Sequence, residues 1–265
     1  MTPLPSHVPL ATARVSLLAS ARALLRLSWA RTITPALVLS MLGLIALPML
    51  FGAVFASRAE AGGDPVPFLV QRYDQLVCAL ATPLIALLLG TSAFSAEAED
   101  GTLLYLVTTT TPRWWISGVR VLFAATLTAL LSAVAVVGTG LLTTGTDDPM
   151  GVTRAFAIAT AFGGATYAAL FTALSLLTRR ALVTGLGYVL FWEGILSTTF
   201  PGIHYLSVRQ WMLAVAADLT EASSTRLSGG PSVTASLVGA AVVFAAAIIV
   251  GGRQLNRPRL TRVGT

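Results

Sequence analysis

Residues 97–120, with the sequence EAEDGTLLYLVTTTTPRWWISGVR, form a polar interruption between two long apolar stretches of the chain. The interruption begins with three acidic residues, Glu97, Glu99 and Asp100. Negative side chains stabilise the first turn of a helix because the helix dipole is positive there. The acidic start therefore predicts a short helix between two longer ones.

The same segment has the spacing of a helix with one apolar face. Leu103, Leu106 and Val107 recur at helical intervals. Pro112 then ends the helix, because the residue before a proline is disfavoured in the helical conformation. The segment is therefore predicted to lie either on the membrane surface or against a partner protein.

The composition predicts an integral membrane protein. Of the 265 residues, 55% are hydrophobic and only 11% are charged, whereas about 25% are charged in a typical soluble domain. Mean hydropathy is +0.80. A helix needs roughly 20 apolar residues to cross a lipid bilayer. Five stretches of that length hold no charged residue, namely 32–57, 75–96, 121–146, 155–178 and 227–252, and a sixth, 181–200, holds only Glu193.

The predicted fold class is all-α, with six transmembrane helices. The expected helices cover about 33–55, 69–94, 115–142, 152–177, 182–200 and 232–252. Pro83 predicts a kink in the second helix. The predicted domains are a cytoplasmic N-terminal part, 1–31, a transmembrane domain, 32–252, and a cytoplasmic tail, 253–265.

The distribution of arginine predicts that both termini are cytoplasmic. All 17 basic residues are arginine, and alternate loops place 12 of them with three acids on the side of the termini, against five arginines and seven acids on the other side. Positive charge is enriched in cytoplasmic loops. Residues 10–31 have a basic amphipathic pattern, so they are predicted either to lie on the cytoplasmic membrane surface or to extend the first transmembrane helix.

The loop between the fifth and sixth predicted helices also has an apolar pattern. The residues that approximate a helical face are Tyr205, Val208, Trp211, Met212 and Val215, with Arg209 and Asp218 off that face. The pattern indicates one or two short helices that dip into the membrane, or alternatively an ordinary loop with one surface helix.

The residues that the chain lacks exclude several functions. An ATP-binding P-loop requires a lysine, and the sequence has none. Cys78 is the single cysteine, which excludes an internal disulfide and a cysteine-based zinc site. His7 and His204 are too few for a histidine-rich metal site. We therefore predict no enzymatic activity, no cofactor or metal in this chain, and no nucleic-acid partner despite a pI near 10.4.

Glu193 is the one ionisable residue well inside a predicted transmembrane helix. A charge at the bilayer centre costs at least about 2.5 kcal/mol, so this side chain should face protein or water. Two interpretations stay open: Glu193 belongs to a substrate or proton path, or it is protonated or paired and only fixes packing. Asp74, near the outer end of the second helix, is interpreted as interfacial.

The segment 97–120 resembles part of a known protein family. Its residues are Glu97, Glu99, Gly101, Thr102, Leu103 and Leu106, then Thr111, Pro112 and Arg113, and finally Arg120 where a helix opens. This pattern resembles the hallmark of ABC-2 type transporter permeases, including the NosY-like group, with Gly118-Val119-Arg120 in place of the family's Gly-Lys. The six predicted helices, the N-terminal amphipathic helix and the long outer loop also match that family.

The resemblance implies the permease subunit of an ATP-driven exporter in a bacterial plasma membrane. Residues 97–110 would form a coupling helix seated in a separate ATPase subunit, which would bind ATP and magnesium. The implied contacts are Glu97, Glu99, Asp100, Gly101, Thr102, Leu103, Leu106, Val107 and Arg113, with Arg179 and Arg180 as a second contact. A second permease, identical or related, would complete the transporter, and Glu193 would lie beside the central path.

Other functions remain open on the sequence alone. The chain could be a stand-alone secondary transporter with Glu193 as its proton or substrate site, or a structural membrane-assembly protein. Residues 97–107 could be a membrane-surface loop without a partner. An intramembrane enzyme is disfavoured, because Glu193 is the only acid at membrane depth. The apolar span interiors suit a lipid-like cargo as well as plain contact with lipid.

Overall fold

A computed structural model describes residues 21–22, 24–26, 28–29, 34–58, 64–99, 112–178, 180–220 and 230–256. Side chains are described for all of these except 95–99, 198, 201 and 255–256. The described residues are 92% helical and contain no strand. The prediction of an all-helical fold is therefore confirmed.

Seven helices organise the described part of the chain. They are α1, Pro35–Arg58; α2, residues 65–99; α3, Arg113–Thr144; α4, Val152–Leu177; α5, residues 181–199; α6, Val208–Leu219; and α7, Val233–Asn256. Within that part, α1, α2, α3, α4 and α7 are the five helices long and apolar enough to cross a membrane. The apolar part of α5, Ala181–Leu196, is shorter.

Two of these helices contain a π-helical segment. In α2 the segment is Tyr73–Ala81, and in α5 it is Tyr188–Leu196. The N–H of Thr82 bonds to the carbonyl of Val77, five residues earlier, instead of the fourth residue back. Pro83 follows at once and has no N–H to donate. The position at which a kink was predicted therefore coincides with the end of a π-helical segment.

Helix α4 lies at the centre and packs against α2, α3, α6 and α7. Two glycines receive large side chains of α6. A Cβ atom at Gly163 would lie 2.1 Å from Cγ of Met212, and one at Gly239 would lie 2.6 Å from the ring of Trp211. Glycine therefore brings α6 into the bundle between α4 and α7, which agrees with the prediction of a short helix in this loop.

The described residues of the N-terminal segment, within 21–29, are helical and contact α3. Leu24 packs with Ile116 and Val119. The ring of Trp29 meets the ring of Phe123 edge-on, with 6.3 Å between their centres. The helical part of the prediction for 10–31 is confirmed for these residues.

Candidate functional site: an acid clamp on helix α6

Glu193 is buried in the π-helical part of α5, where it is 2% exposed. Its Oε1 atom accepts hydrogen bonds from the Tyr188 hydroxyl at 3.2 Å and from the backbone N–H of Val208 at 3.0 Å. Its Oε2 atom accepts one from the Ser207 hydroxyl at 2.5 Å. All three partners can donate, which is what a carboxylate requires when it is removed from water.

These bonds place the carboxylate at the N-terminus of α6. Ser207 is the N-cap residue, and its hydroxyl oxygen accepts from the N–H of Gln210 at 3.2 Å while it donates to Glu193. The N–H of Val208 belongs to the first turn, where helical N–H groups have no partner inside the helix. Glu193 satisfies that donor and also meets the positive end of the helix dipole. Its burial thus has a local structural cause.

The next residue of α6, Arg209, is held by a second acid. Its Nε and Nη2 atoms lie 3.0 and 2.7 Å from Oδ1 of Asp74, in the π-helical part of α2. Each side chain is 14% exposed. Burial acts to lower the pKa of Arg209, but the Asp74 carboxylate and its hydrogen bonds outweigh burial and raise that pKa above its ordinary value. Arg209 therefore stays charged at physiological pH.

We call Asp74, Glu193 and the residues 207–209 that they hold the acid clamp. Both acids belong to π-helical segments, and both hold the first turn of α6. Such segments are rare and occur frequently at functional sites. The clamp joins α2, α5 and α6, and it is the candidate functional site that the geometry supports best.

A buried tyrosine of α4 adjoins the clamp. Tyr167 lies close enough to Glu193 and Tyr188 to interact with them electrostatically. Its hydroxyl is buried and has no hydrogen-bond partner of good geometry among the described residues. The clamp therefore has one further polar group beside it.

A second tie joins the opposite end of α2 to α3. Arg120 is 2% exposed, and its Nη1 atom donates to the carbonyl oxygen of Ala93. The guanidinium carbon lies 4.7 Å from the centre of the Phe94 ring, within the range of a cation–π interaction. Ala93 and Phe94 also pack against Leu176 of α4. The ends of α2, α3 and α4 are thereby joined where residues 100–111 connect α2 to α3.

The residues predicted to contact an ATPase are only partly described. Glu97 and Glu99 lie in the last turn of α2, beyond Phe94, where the apolar span ends, and only their backbone is described. Arg113 is the first residue of α3, and Arg180 is exposed just before α5. The other predicted residues, Asp100, Gly101, Thr102, Leu103, Leu106, Val107 and Arg179, lie outside the described residues. None of the described contacts joins a residue predicted to contact the ATPase to Glu193.

Sequence reasoning missed the contacts of three residues. Asp74 was interpreted only as interfacial, and Arg209 was only placed off the apolar face of a predicted helix, whereas the two form an ion pair. Their separation of 135 residues leaves no local pattern that pairs them. Arg120 was taken as the opening of a helix, although the helix begins at Arg113. The position of Pro112, which fixes that start, was the available signal.

No protein-family model matches this chain, and no curated protein matches it either. Its class therefore follows from the helices themselves: it is an all-helical, membrane-embedded protein with five candidate membrane-spanning helices in its described part.

Proposed function

We propose that the chain is the membrane-spanning permease subunit of an ATP-driven exporter of the ABC-2 type. The observation that carries the proposal is that α2 is fixed at both ends. Arg120 and Leu176 hold the end near Phe94, and the pair Asp74–Arg209 holds the other end to α6. A helix tied at both ends can transmit a displacement from one face of the membrane toward the other.

The input would come through residues 97–110, which begin in the last turn of α2 and continue beyond it. In this proposal they form the coupling helix of this chain, which would dock on a separate ATPase subunit that binds ATP and magnesium, and Arg179 and Arg180 would add a second contact. Because Arg120 bonds to the backbone of α2, a push on the coupling helix would move the ends of α2 and α3 together. The acidic side chains would pair with basic groups of the ATPase.

The output would be a movement of α6. Asp74 carries the motion of α2 to Arg209, and Glu193 links the same turn of α6 to α5. Helices two and five flank the path in the family that the sequence resembles, so α6 would shift together with the walls of that path. Glu193 would then act by positioning α6 rather than by contacting the substrate.

The remaining features of the proposal concern assembly and topology. Helix α5 contains 19 residues, close to the roughly 20 that a helix needs to cross a hydrocarbon core. We propose α5 as the sixth transmembrane helix, with both termini in the cytoplasm of a bacterium. A second permease would complete the transporter in the plasma membrane.

Charge reversal tests the coupling role directly. Tagged wild-type protein, purified from its native membranes, is expected to carry ATPase activity, and the variant Glu97→Lys/Glu99→Lys/Asp100→Lys is expected to lose it while still inserting. The matched control reverses two exposed acids at the opposite end of the bundle, Asp147→Lys/Asp218→Lys. Activity retained by the triple variant contradicts the docking role, and absence of ATPase activity from the wild type contradicts the whole proposal.

A second candidate function is a stand-alone secondary transporter with a proton site at Glu193. The observation that favours it is the buried hydroxyl of Tyr167, which lies beside the Glu193 carboxylate. Purified chain alone, reconstituted in vesicles, would then move substrate in response to a pH gradient without ATP. Loss of this transport in Glu193→Gln, together with its persistence after the charge reversal at residues 97–100, would favour the second function over the first.

A further inference from the structure

A groove at one end of the bundle combines two arginines with an apolar wall. It lies between the first turn of α3 and the last turns of α7 and has a volume of about 430 Å³. Arg113 and Arg253 line it together with Trp114, Ile248 and Ile249. We propose that this groove binds the headgroup phosphate and upper acyl chain of an anionic phospholipid. The inference does not depend on the proposed transport function.

A glycine beside the groove brings α7 close to α3. A Cβ atom at Gly251 would lie 1.9 Å from the hydroxyl oxygen of Ser117, whereas one at Gly252, which lines the groove, would be in ordinary contact with Trp114. At Gly251 the backbone of α7 therefore approaches α3 more closely than a larger residue would allow. The neighbouring long side chains, Arg253 on α7 and Arg113 on α3, line the groove at this crossing.

The groove lies at the depth of lipid headgroups. Arg113 begins the apolar span Arg113–Thr144, and Arg253 is next to the last residue of the span Val233–Gln254. The ends of such spans meet the boundary between hydrocarbon and headgroups. Trp114 is 56% exposed at the same level, where tryptophan is enriched in membrane proteins. A lipid in the surrounding leaflet can therefore enter the groove without leaving the bilayer.

The charges in the groove select the kind of lipid. The described residues that line it include two arginines and no acid. Guanidinium groups bind phosphate oxygens through paired N–H donors. Basic pockets between transmembrane helices are a recurrent form of anionic-lipid site. A zwitterionic lipid would bring its own positive group to the same place and bind less tightly.

The apolar wall distinguishes a lipid from a free phosphate ion. Ile248 and Ile249 line the groove one turn deeper than Arg253, and Ile249 is 51% exposed. An acyl chain would cover these side chains, whereas an inorganic ion would leave them uncovered. The combination of a basic rim with an apolar wall therefore fits a phospholipid.

Fluorescence quenching by brominated lipids tests the proposal on the full chain. The protein is reconstituted in phosphatidylcholine that contains a minor fraction of brominated phosphatidylglycerol or, separately, brominated phosphatidylcholine. Tryptophan quenching then gives the binding preference for the anionic lipid. We expect the wild type to prefer phosphatidylglycerol, and each of Arg113→Gln and Arg253→Gln to reduce that preference about fivefold, since one arginine near an anionic surface contributes on the order of 1 kcal/mol.

Four further measurements locate and challenge the site. Trp114→Phe should remove the part of the quenching that is selective for phosphatidylglycerol, because Trp114 lines the groove. The control Arg58→Gln/Arg154→Gln, which removes two exposed arginines at the other end of the bundle, should leave the preference unchanged. Equal loss in that control, or an unchanged preference in Arg113→Gln/Arg253→Gln, overturns the proposal. Abolition of the preference by inorganic phosphate in the buffer would assign the groove to the free ion and also overturn it.

Discussion

Asp74 and Arg209 are 135 residues apart in the sequence, yet Nη2 of Arg209 lies 2.7 Å from Oδ1 of Asp74. The pair joins the π-helical segment of α2 to the first turn of α6, immediately after the residue that Glu193 holds. Two helices that are distant in the chain are thereby fastened to adjacent residues of a third. The stability and motion of α6 should depend on both fastenings.

Removal of the Asp74 charge should destabilise the fold. Asp74→Asn leaves Arg209 charged and only partly exposed without its counter-ion. We expect a loss on the order of 2 kcal/mol, below the roughly 3–5 kcal/mol of a fully buried pair, because both side chains are 14% exposed. The midpoint of denaturation in detergent measures this loss. Asp74→Asn/Arg209→Gln should recover part of it, Asp218→Asn should have no effect, and an unchanged midpoint in Asp74→Asn would contradict the assignment.

The Glu193 carboxylate should control how often the first turn of α6 opens. Glu193→Ala removes the acceptor of the Val208 N–H and of the Ser207 hydroxyl. A net hydrogen bond contributes about 1 kcal/mol, so hydrogen exchange at the Val208 amide should accelerate roughly fivefold. Glu193→Gln keeps one acceptor oxygen, so its rate of hydrogen exchange at Val208 should fall between those of the wild type and Glu193→Ala. Thr199→Ala, at an exposed hydroxyl of the same helix, is the control, and equal protection in Glu193→Ala and wild type would count against the clamp.

Arg120 and Phe94 should be energetically coupled. Arg120→Gln and Phe94→Leu each remove the cation–π contact, so the double variant should lose less stability than the sum of the single variants. We expect a coupling energy of about 1 kcal/mol for this contact and a larger total effect of Arg120→Gln, since that change also removes a hydrogen bond to Ala93. Denaturation midpoints of the four proteins measure the cycle. Strict additivity would show that the ring contributes nothing to the tie.

The packing of α6 against α4 should be sensitive to a methyl group added at Gly163. In Gly163→Ala the added Cβ would lie 2.1 Å from Cγ of Met212, so Met212 and α6 must shift, at a cost of about 1–3 kcal/mol. Gly43→Ala is the matched control, because nothing lies within 4 Å of its added atom. That control should be neutral or slightly stabilising through helix propensity. If both variants denature alike, the close packing of Met212 on Gly163 is wrong.

The sequence predicted the helices well because hydrophobic length is a strong local signal. Helix α4 has the predicted bounds, and α3 differs by two residues at each end. The apolar part of α5 stops at Leu196, so this helix did not reach the length of a candidate span. The start of α2 at Pro65 lies before the predicted start because Asp64 caps it, its carboxylate accepting from the N–H of Val66 at 3.0 Å.

The site was predicted less completely, for two physical reasons. Glu193 was identified because a single acid in an apolar helix is unusual, but its partners follow 14 and 15 residues later and depend on how α6 folds back. The π-helical segments arise from tertiary packing, and no local pattern of side chains predicts them. The coupling segment was predicted from a resemblance, and most of it lies outside the described residues.

The two π-helical segments allow one part of a helix to rotate relative to the other if their winding changes. Each holds its chain in a wider turn than the surrounding α-helix. If one of them relaxed to α-helical register, the residues on one side would turn by about 100° relative to those on the other, the angle that one residue occupies in an α-helix. A turn of that size in α2 would swing Asp74 away from Arg209, and in α5 it would withdraw Glu193 from Val208. A winding change within a single helix would thus undo one of the two fastenings of α6, without any need for the helices to separate.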